Sequence, residues 1–143
     1  MNQYRVLKEK HQKEINNFPL MFAFSKKQFA EGMKKLGLNE TDTDKILSIG
    51  GGGYMKKSDE KAFDDMIAKH ESERKEAINN DIDSTGFIFD MFHYELNNHE
   101  YGYTWDTSDT LDALGYTQEE INQNEKLSKG LKLAIKKCNE QEW

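Results

Sequence analysis

Apolar residues recur at helical spacing along most of this chain. Tyr4, Leu7, His11, Ile15 and Phe18 fall at steps of three and four, which predicts an amphipathic helix that stops at Asn16-Asn17, ahead of Pro19. Leu20–Phe24 is a short continuous apolar run, either a buried strand or an extended connector. Ser25-Lys26-Lys27-Gln28 reads as a capping box. The helix it opens carries Phe29, Met33 and Leu36 on one face and stops at Gly37. Thr41 or Thr43 is placed to cap a short helix through Ile46, Leu47 and Ile49. Four glycines follow, Gly50–Gly53, through which no regular element passes cheaply. Tyr54-Met55 suggests a short strand. Ser58 then opens the longest helix, about 59–79, with Phe63, Met66, Ile67, His70, Arg74, Ala77 and Ile78 on one face.

Beyond residue 80 the pattern continues. Asp83, Ser84 or Thr85 can cap a helix whose face is Ile88, Met91, Phe92, Leu96 and His99. Tyr101–Trp105 reads as a strand or an aromatic loop. Ser108-Asp109-Thr110 begins a short helix through Leu111 and Leu114, closed by Gly115. Thr117-Gln118-Glu119-Glu120 is a second capping box, and Leu127, Leu131, Ala134, Ile135 and Cys138 mark a final helix. The stretch Lys35–Asn39 echoes Ala113–Thr117: helix, glycine stop, apolar residue, new cap. The expected fold is a single compact domain over 1–143, mostly α or α+β. Its strand candidates are Leu20–Phe24, Tyr54–Met55 and Tyr101–Trp105.

Charge is distributed unevenly. Residues 81–125 hold eleven Asp and Glu, no Lys or Arg, and eight of the sixteen aromatic residues, so the net charge of −6 is concentrated in one block. Such a block suits a positive counterpart, either a basic protein face or a metal ion. It opposes direct nucleic-acid binding, which needs a basic footprint. No apolar stretch approaches the roughly 20 residues of a membrane-spanning helix. The first residues lack the apolar segment of a signal peptide. Cys138 is the only cysteine and can form no internal disulfide, so a reducing cytosol is the expected setting.

Three chemical readings arise from the residues. Asp81-Ile82-Asp83-Ser84-Thr85-Gly86-Phe87-Ile88 matches the first eight positions of a calcium loop, but Phe92 stands where the bidentate glutamate belongs. The stretch fits an acidic helix start or a weak, non-standard Ca²⁺ site. Glu95 and His99, one helical turn apart, fit either a mutually satisfied pair or two ligands of Zn²⁺ or Fe²⁺. Together Asp81, Asp83, Glu95 and His99 define the candidate divalent-metal set. Gly50–Gly53 lacks phosphate-loop spacing and reads as a joint in which positive φ delivers Tyr54 to the core. No HExxH or GxSxG motif is present, so a non-enzymatic protein without a cofactor is the leading expectation.

A further reading is an interaction face. Tyrosine and tryptophan beside carboxylates anchor lysine and arginine. Glu100, Asp106, Asp109, Asp112, Glu119 and Glu120 would imitate phosphates, with Tyr101, Tyr103 and Trp105 as anchors. Three groups of residues also carry a resemblance. They are Phe22–Phe29 with Glu31–Leu38, then Gly50–Gly53, then His99–Tyr103 with Asp109–Gly115. Taken together the chain resembles an uncharacterised family of small acidic proteins from phages and mobile elements of gut bacteria. The resemblance brings no site residues with it. It implies an inhibitor in the bacterial host cytosol, of the anti-CRISPR or other anti-defence kind, that occupies the nucleic-acid-binding surface of a host enzyme.

Overall fold

A computed structural model describes residues 1–140. The chain is mostly helical (68%), a single domain with a small three-stranded antiparallel sheet. In chain order the elements are α1 (Gln3–Asn16), β1 (Leu20–Phe22), α2 (Lys26–Lys35), β2 (Ile46–Gly50), β3 (Gly53–Lys56), α3 (Glu60–Asn80), α4 (Phe87–Asn98), α5 (Tyr101–Thr104), α6 (Ser108–Leu114), α7 (Gln118–Asn122) and α8 (Glu125–Glu140). Single 3₁₀ turns precede β2 and α3. Backbone packing resolves two compact units. Among the described residues, one contains 1–10 and 73–140, the other 11–72.

The second unit is built around the sheet, ordered β1-β3-β2. Ser25 caps α2 by accepting from the Gln28 amide at 3.2 Å, while the Gln28 side chain accepts from the Phe24 amide at 2.7 Å. The return bond therefore reaches one residue beyond the cap. α2 ends in a Schellman closure: the Gly37 amide donates to Lys34 O and the Leu38 amide to Met33 O, with Gly37 at φ +76°. Gly32 lets α2 settle onto β1, since a Cβ there would lie 2.5 Å from Met21 Sδ. Met21, Met33, Leu36 and Ile46 form the buried centre, and Phe29 meets Tyr54 edge-on at 5.6 Å. Elsewhere in this unit the buried His70 ring stacks on His11 at 3.9 Å, with its Nε2 2.7 Å from Glu14 Oε2.

Residues 46–49 are not the helix that their spacing suggests. They belong to β2, the partner of β3 in a hairpin closed by the glycines. Gly50, the last residue of β2, pairs with Gly53, and the two loop residues Gly51 and Gly52 both have positive φ (+59° and +78°), as a type I′ turn requires. Gly50 also has positive φ, +84°, beside a bulge at Ser48. Over the remaining glycine faces lie two aromatic rings. A Cβ on Gly52 would sit 2.5 Å from the Phe24 ring, and one on Gly53 would sit 2.8 Å from that of Phe22. We therefore expect Gly50→Ala, Gly51→Ala and Gly52→Ala each to lower stability by about 1 kcal/mol or more. Chemical denaturation of the single variants checks this, and unchanged midpoints for all three would contradict the turn.

The first unit packs α4 against α8. Phe87, Ile88, Met91, Phe92 and Leu96 from α4 meet Leu127, Leu131, Ala134 and Cys138 from α8 in one buried cluster. Gly130 permits the close approach, because a Cβ there would overlap the Ile88 side chain. Thr117 and Glu120 form the complete capping box expected for α7. Gly115 and Tyr116 close α6 with the same pair of bonds that ends α2, to Asp112 O and Leu111 O. Tyr101–Trp105 forms no strand. Tyr101–Thr104 is a single helical turn between two non-glycine residues at positive φ, Glu100 (+58°) and Trp105 (+57°).

Candidate functional site: an acidic aromatic face

The short helices α5, α6 and α7 display the acidic block. Residues with positive φ, Glu100 and Trp105, stand on either side of α5. The result is a projecting turn on which Tyr103 is 72% exposed and Trp105 75% exposed. The Trp105 indole N–H donates to Gly102 O at 3.3 Å, which fixes the ring against its own turn. Tyr101 has the opposite fate. Its ring is buried in the core, so of the three candidate anchors Tyr103 and Trp105 lie at the surface.

Glu100, Asp106, Asp109, Asp112, Glu119 and Glu120 are all exposed. Asp106 Oδ1 accepts from the Ser108 amide at 2.8 Å, and the hydrogen bonds from Ser108 hold its carboxyl below the usual carboxylate range. Asp109 lies in the first turn of α6, where a negative charge complements the helix dipole. Glu120 accepts from the Thr117 amide in the capping box, and Glu119 from the Gln123 side chain. Among the described residues none of these six carboxylates is in an ion pair. The stretch from residue 100 to 120 thus carries six acidic side chains, contains no Lys or Arg, and has no internal counter-charge.

Three of the four candidate metal ligands take other partners. Asp81 is buried, and its carboxylate accepts from the Ile88 amide at 2.9 Å and the Gly86 amide at 3.4 Å. It satisfies the start of α4 from outside the helix, the task expected of Asp83, Ser84 or Thr85. Asp83 is exposed and accepts from Thr85 Oγ1 at 2.6 Å. The Thr85 hydrogen bonds hold its carboxyl low. Ser84 adopts φ +67° and is buried. Glu95 is 2% exposed and sits 3.3 Å from Lys8 Nζ, while its backbone carbonyl accepts from Thr110 Oγ1. The His99 Nε2 is buried and makes no hydrogen bond. Among the described residues no three His, Cys, Asp or Glu side chains form a group able to hold a metal ion.

Two features escaped the sequence reading. Lys8 sits over the rings of Tyr4 and Tyr94, at 5.7 and 5.2 Å from their centroids, while reaching Glu95. Only the spacing of Tyr4 and Lys8, one turn apart on α1, hints at this. The other is the outward face of α8, where Lys129, Lys132 and Lys136 recur at steps of three and four opposite the apolar stripe.

The chain matches the family of unknown function (DUF7659) over residues 3–137. It belongs to that family. No curated protein and no solved structure matches it. The family spans both units described above, so the acidic face and α8 are parts of the family's shared region. No helix among the described residues is long and apolar enough to cross a membrane.

Proposed function

We propose that the acidic aromatic face is a docking surface for a basic protein, and that the chain acts by occupying that surface rather than by catalysis. The observation that carries this reading is the set of six exposed carboxylates without a cationic partner, beside exposed Tyr103 and Trp105. Carboxylates at the rim steer a basic partner inward, and the aromatic rings supply the apolar and cation–π contact that holds it. A host enzyme that binds nucleic acid offers such a surface, since its lysines and arginines are spaced to meet phosphates. In its concrete form the protein is an anti-defence inhibitor, anti-CRISPR-like, carried by a phage or mobile element and working in the bacterial cytosol.

The test is capture of partners from a bacterial host lysate at low and high salt, with wild type and Asp109→Lys/Asp112→Lys/Glu119→Lys. Exposed ion pairs contribute about 0.2–1 kcal/mol each, so the triple reversal should weaken the complex on the order of tenfold or more. Binding should also fall as salt screens the charges. A partner whose binding ignores salt and survives the reversal would overturn the reading.

A further inference from the structure

We infer that α8 carries a receptor groove for the acidic face of a second copy of this chain, so that the protein associates head to tail with itself. The inward stripe of α8, Leu127, Leu131, Ala134 and Cys138, is buried. Its outward side presents Lys129, Lys132, Lys136 and Lys137, all exposed. None of these four lysines makes an ion pair or hydrogen bond among the described residues. Their fields reach Asp83, whose carboxyl is held low first by its Thr85 hydrogen bonds and only slightly by Lys129, and the half-buried His93, lowered first by burial and then by Lys137.

Between these lysines the surface is grooved and partly apolar. One groove of about 340 Å³ has Phe89 and Leu133 as its wall and Lys136 and Lys137 at its rim, with Glu140 at the end of the helix. The wall is stiffened by His93, whose ring stacks on Phe89 with centroids 5.4 Å apart. A second groove of about 460 Å³ shares Leu133 and Lys136 with the first and adds Lys129 and Lys132, with Glu125 at its far end. Phe89 and Leu133 beside these lysines suit a ligand that combines an aromatic side chain with flanking carboxylates. Phosphate chains supply the charge but not the apolar group.

This chain supplies that ligand itself. Trp105 and Tyr103 project beside Glu100, Asp106 and Asp109, in a stretch that contains no Lys or Arg. Both faces belong to the same compact unit, yet among the described residues the lysines of α8 form no ion pair with these carboxylates. A neighbouring copy offers the complement that the chain does not give itself. An interface that joins two different faces is heterologous, so each added copy leaves one acidic face and one groove open for the next. The inference rests on the proposed role of the acidic face in docking, and it adds α8 of a second copy as a further basic surface for that face.

Sedimentation velocity of the full chain decides it, run over a wide concentration range at low salt and at 1 M salt, where the Debye length is only ~3 Å. We expect concentration-dependent oligomers at low salt that dissociate at high salt. Lys132→Glu/Lys136→Glu keeps the acidic face and loses the groove; Asp109→Lys/Asp112→Lys does the reverse. Each should raise the dissociation constant at least tenfold alone. An equimolar mixture should form a complex that stops at one copy of each, because only one intact face and one intact groove remain. Circular dichroism confirms that both variants are folded. A wild type that stays monomeric at low salt overturns the inference, as does association that survives either double variant. If the wild type is monomeric while capture of a host partner still requires Asp109 and Asp112, docking stands and self-association fails. Binding of a single-stranded oligonucleotide that is lost in Lys132→Glu/Lys136→Glu, without self-association, would make the groove a phosphate site and also overturn it.

Discussion

Replacing Phe92 with alanine should destabilise the protein by about 3–5 kcal/mol, the range for truncating a fully buried aromatic ring. Phe92 is wholly inaccessible to solvent and lies in the cluster that joins α4 to α8, with Tyr116 tilted against it at 6.4 Å. Removing the ring loses its transfer free energy and leaves a cavity that two helices held together at Gly130 have little freedom to close. Native domains have only about 5–15 kcal/mol in reserve, so the variant should show a large fall in denaturant midpoint and a raised unfolded fraction. Phe92→Leu keeps most of the volume and should cost much less. Similar midpoints for the two variants would mean that the ring does not fill the space assigned to it.

The same residue bears on the calcium-like motif. A functional loop needs its bidentate carboxylate at the place where Phe92 stands, and that place is the interior of the core. Phe92→Glu would put a charge among Leu96, Ile121 and Leu131, all buried, rather than complete an oxygen cage. The acidic residues before it have local tasks instead. Asp81 receives the first amides of α4, and Asp83 closes a turn with Thr85. The motif's spacing follows from how this helix begins.

Features set by neighbours in sequence were legible, and those set by distant partners were not. Ser25, Thr117, Gly37 and Gly115 act within a few residues of themselves, and the structure uses each at a helix end as its type predicts. Ile46–Gly50 has no such local signal, because a strand acquires its identity from the strand it pairs with. Its apolar spacing also suited one turn of helix. Tyr101–Trp105 misled for a different reason. Aromatic residues favour strands, but here the chain is bent by two left-handed residues that are not glycine, and no pattern announces those. Lys8 and Glu95 stand 87 positions apart, beyond the reach of any periodicity. For the candidate site, burial was the missing quantity. Composition marked out the acidic block but could not assign Tyr101 to the core and Tyr103 to the surface.

Burial also gives the protein an alkaline limit. The Tyr4 phenol is pushed from an ordinary 10.0 up to about 12, chiefly because it lies in the core and next because the Glu95 carboxylate is close; Arg74 opposes the shift. The fold therefore holds Tyr4 neutral, while the unfolded chain is free to ionise it. Its contribution is complete below about pH 10 and is lost as pH rises towards 12. At about 1.36 kcal/mol per pKa unit, a shift of two units corresponds to roughly 2–3 kcal/mol. Burial raises Tyr116 in the same direction, so some alkaline slope remains when Tyr4 is removed. Tyr4→Phe keeps the ring that meets Phe87 edge-on at 5.9 Å and Tyr94 at 5.6 Å. It should leave stability near neutral pH almost unchanged and flatten the decline above pH 10. Denaturant unfolding of both proteins at a series of pH values measures this, and the difference between them cancels the lysines that titrate in the same range. Curves that stay parallel from neutral pH to 12 would show that Tyr4 ionises as freely in the folded protein as in the unfolded chain.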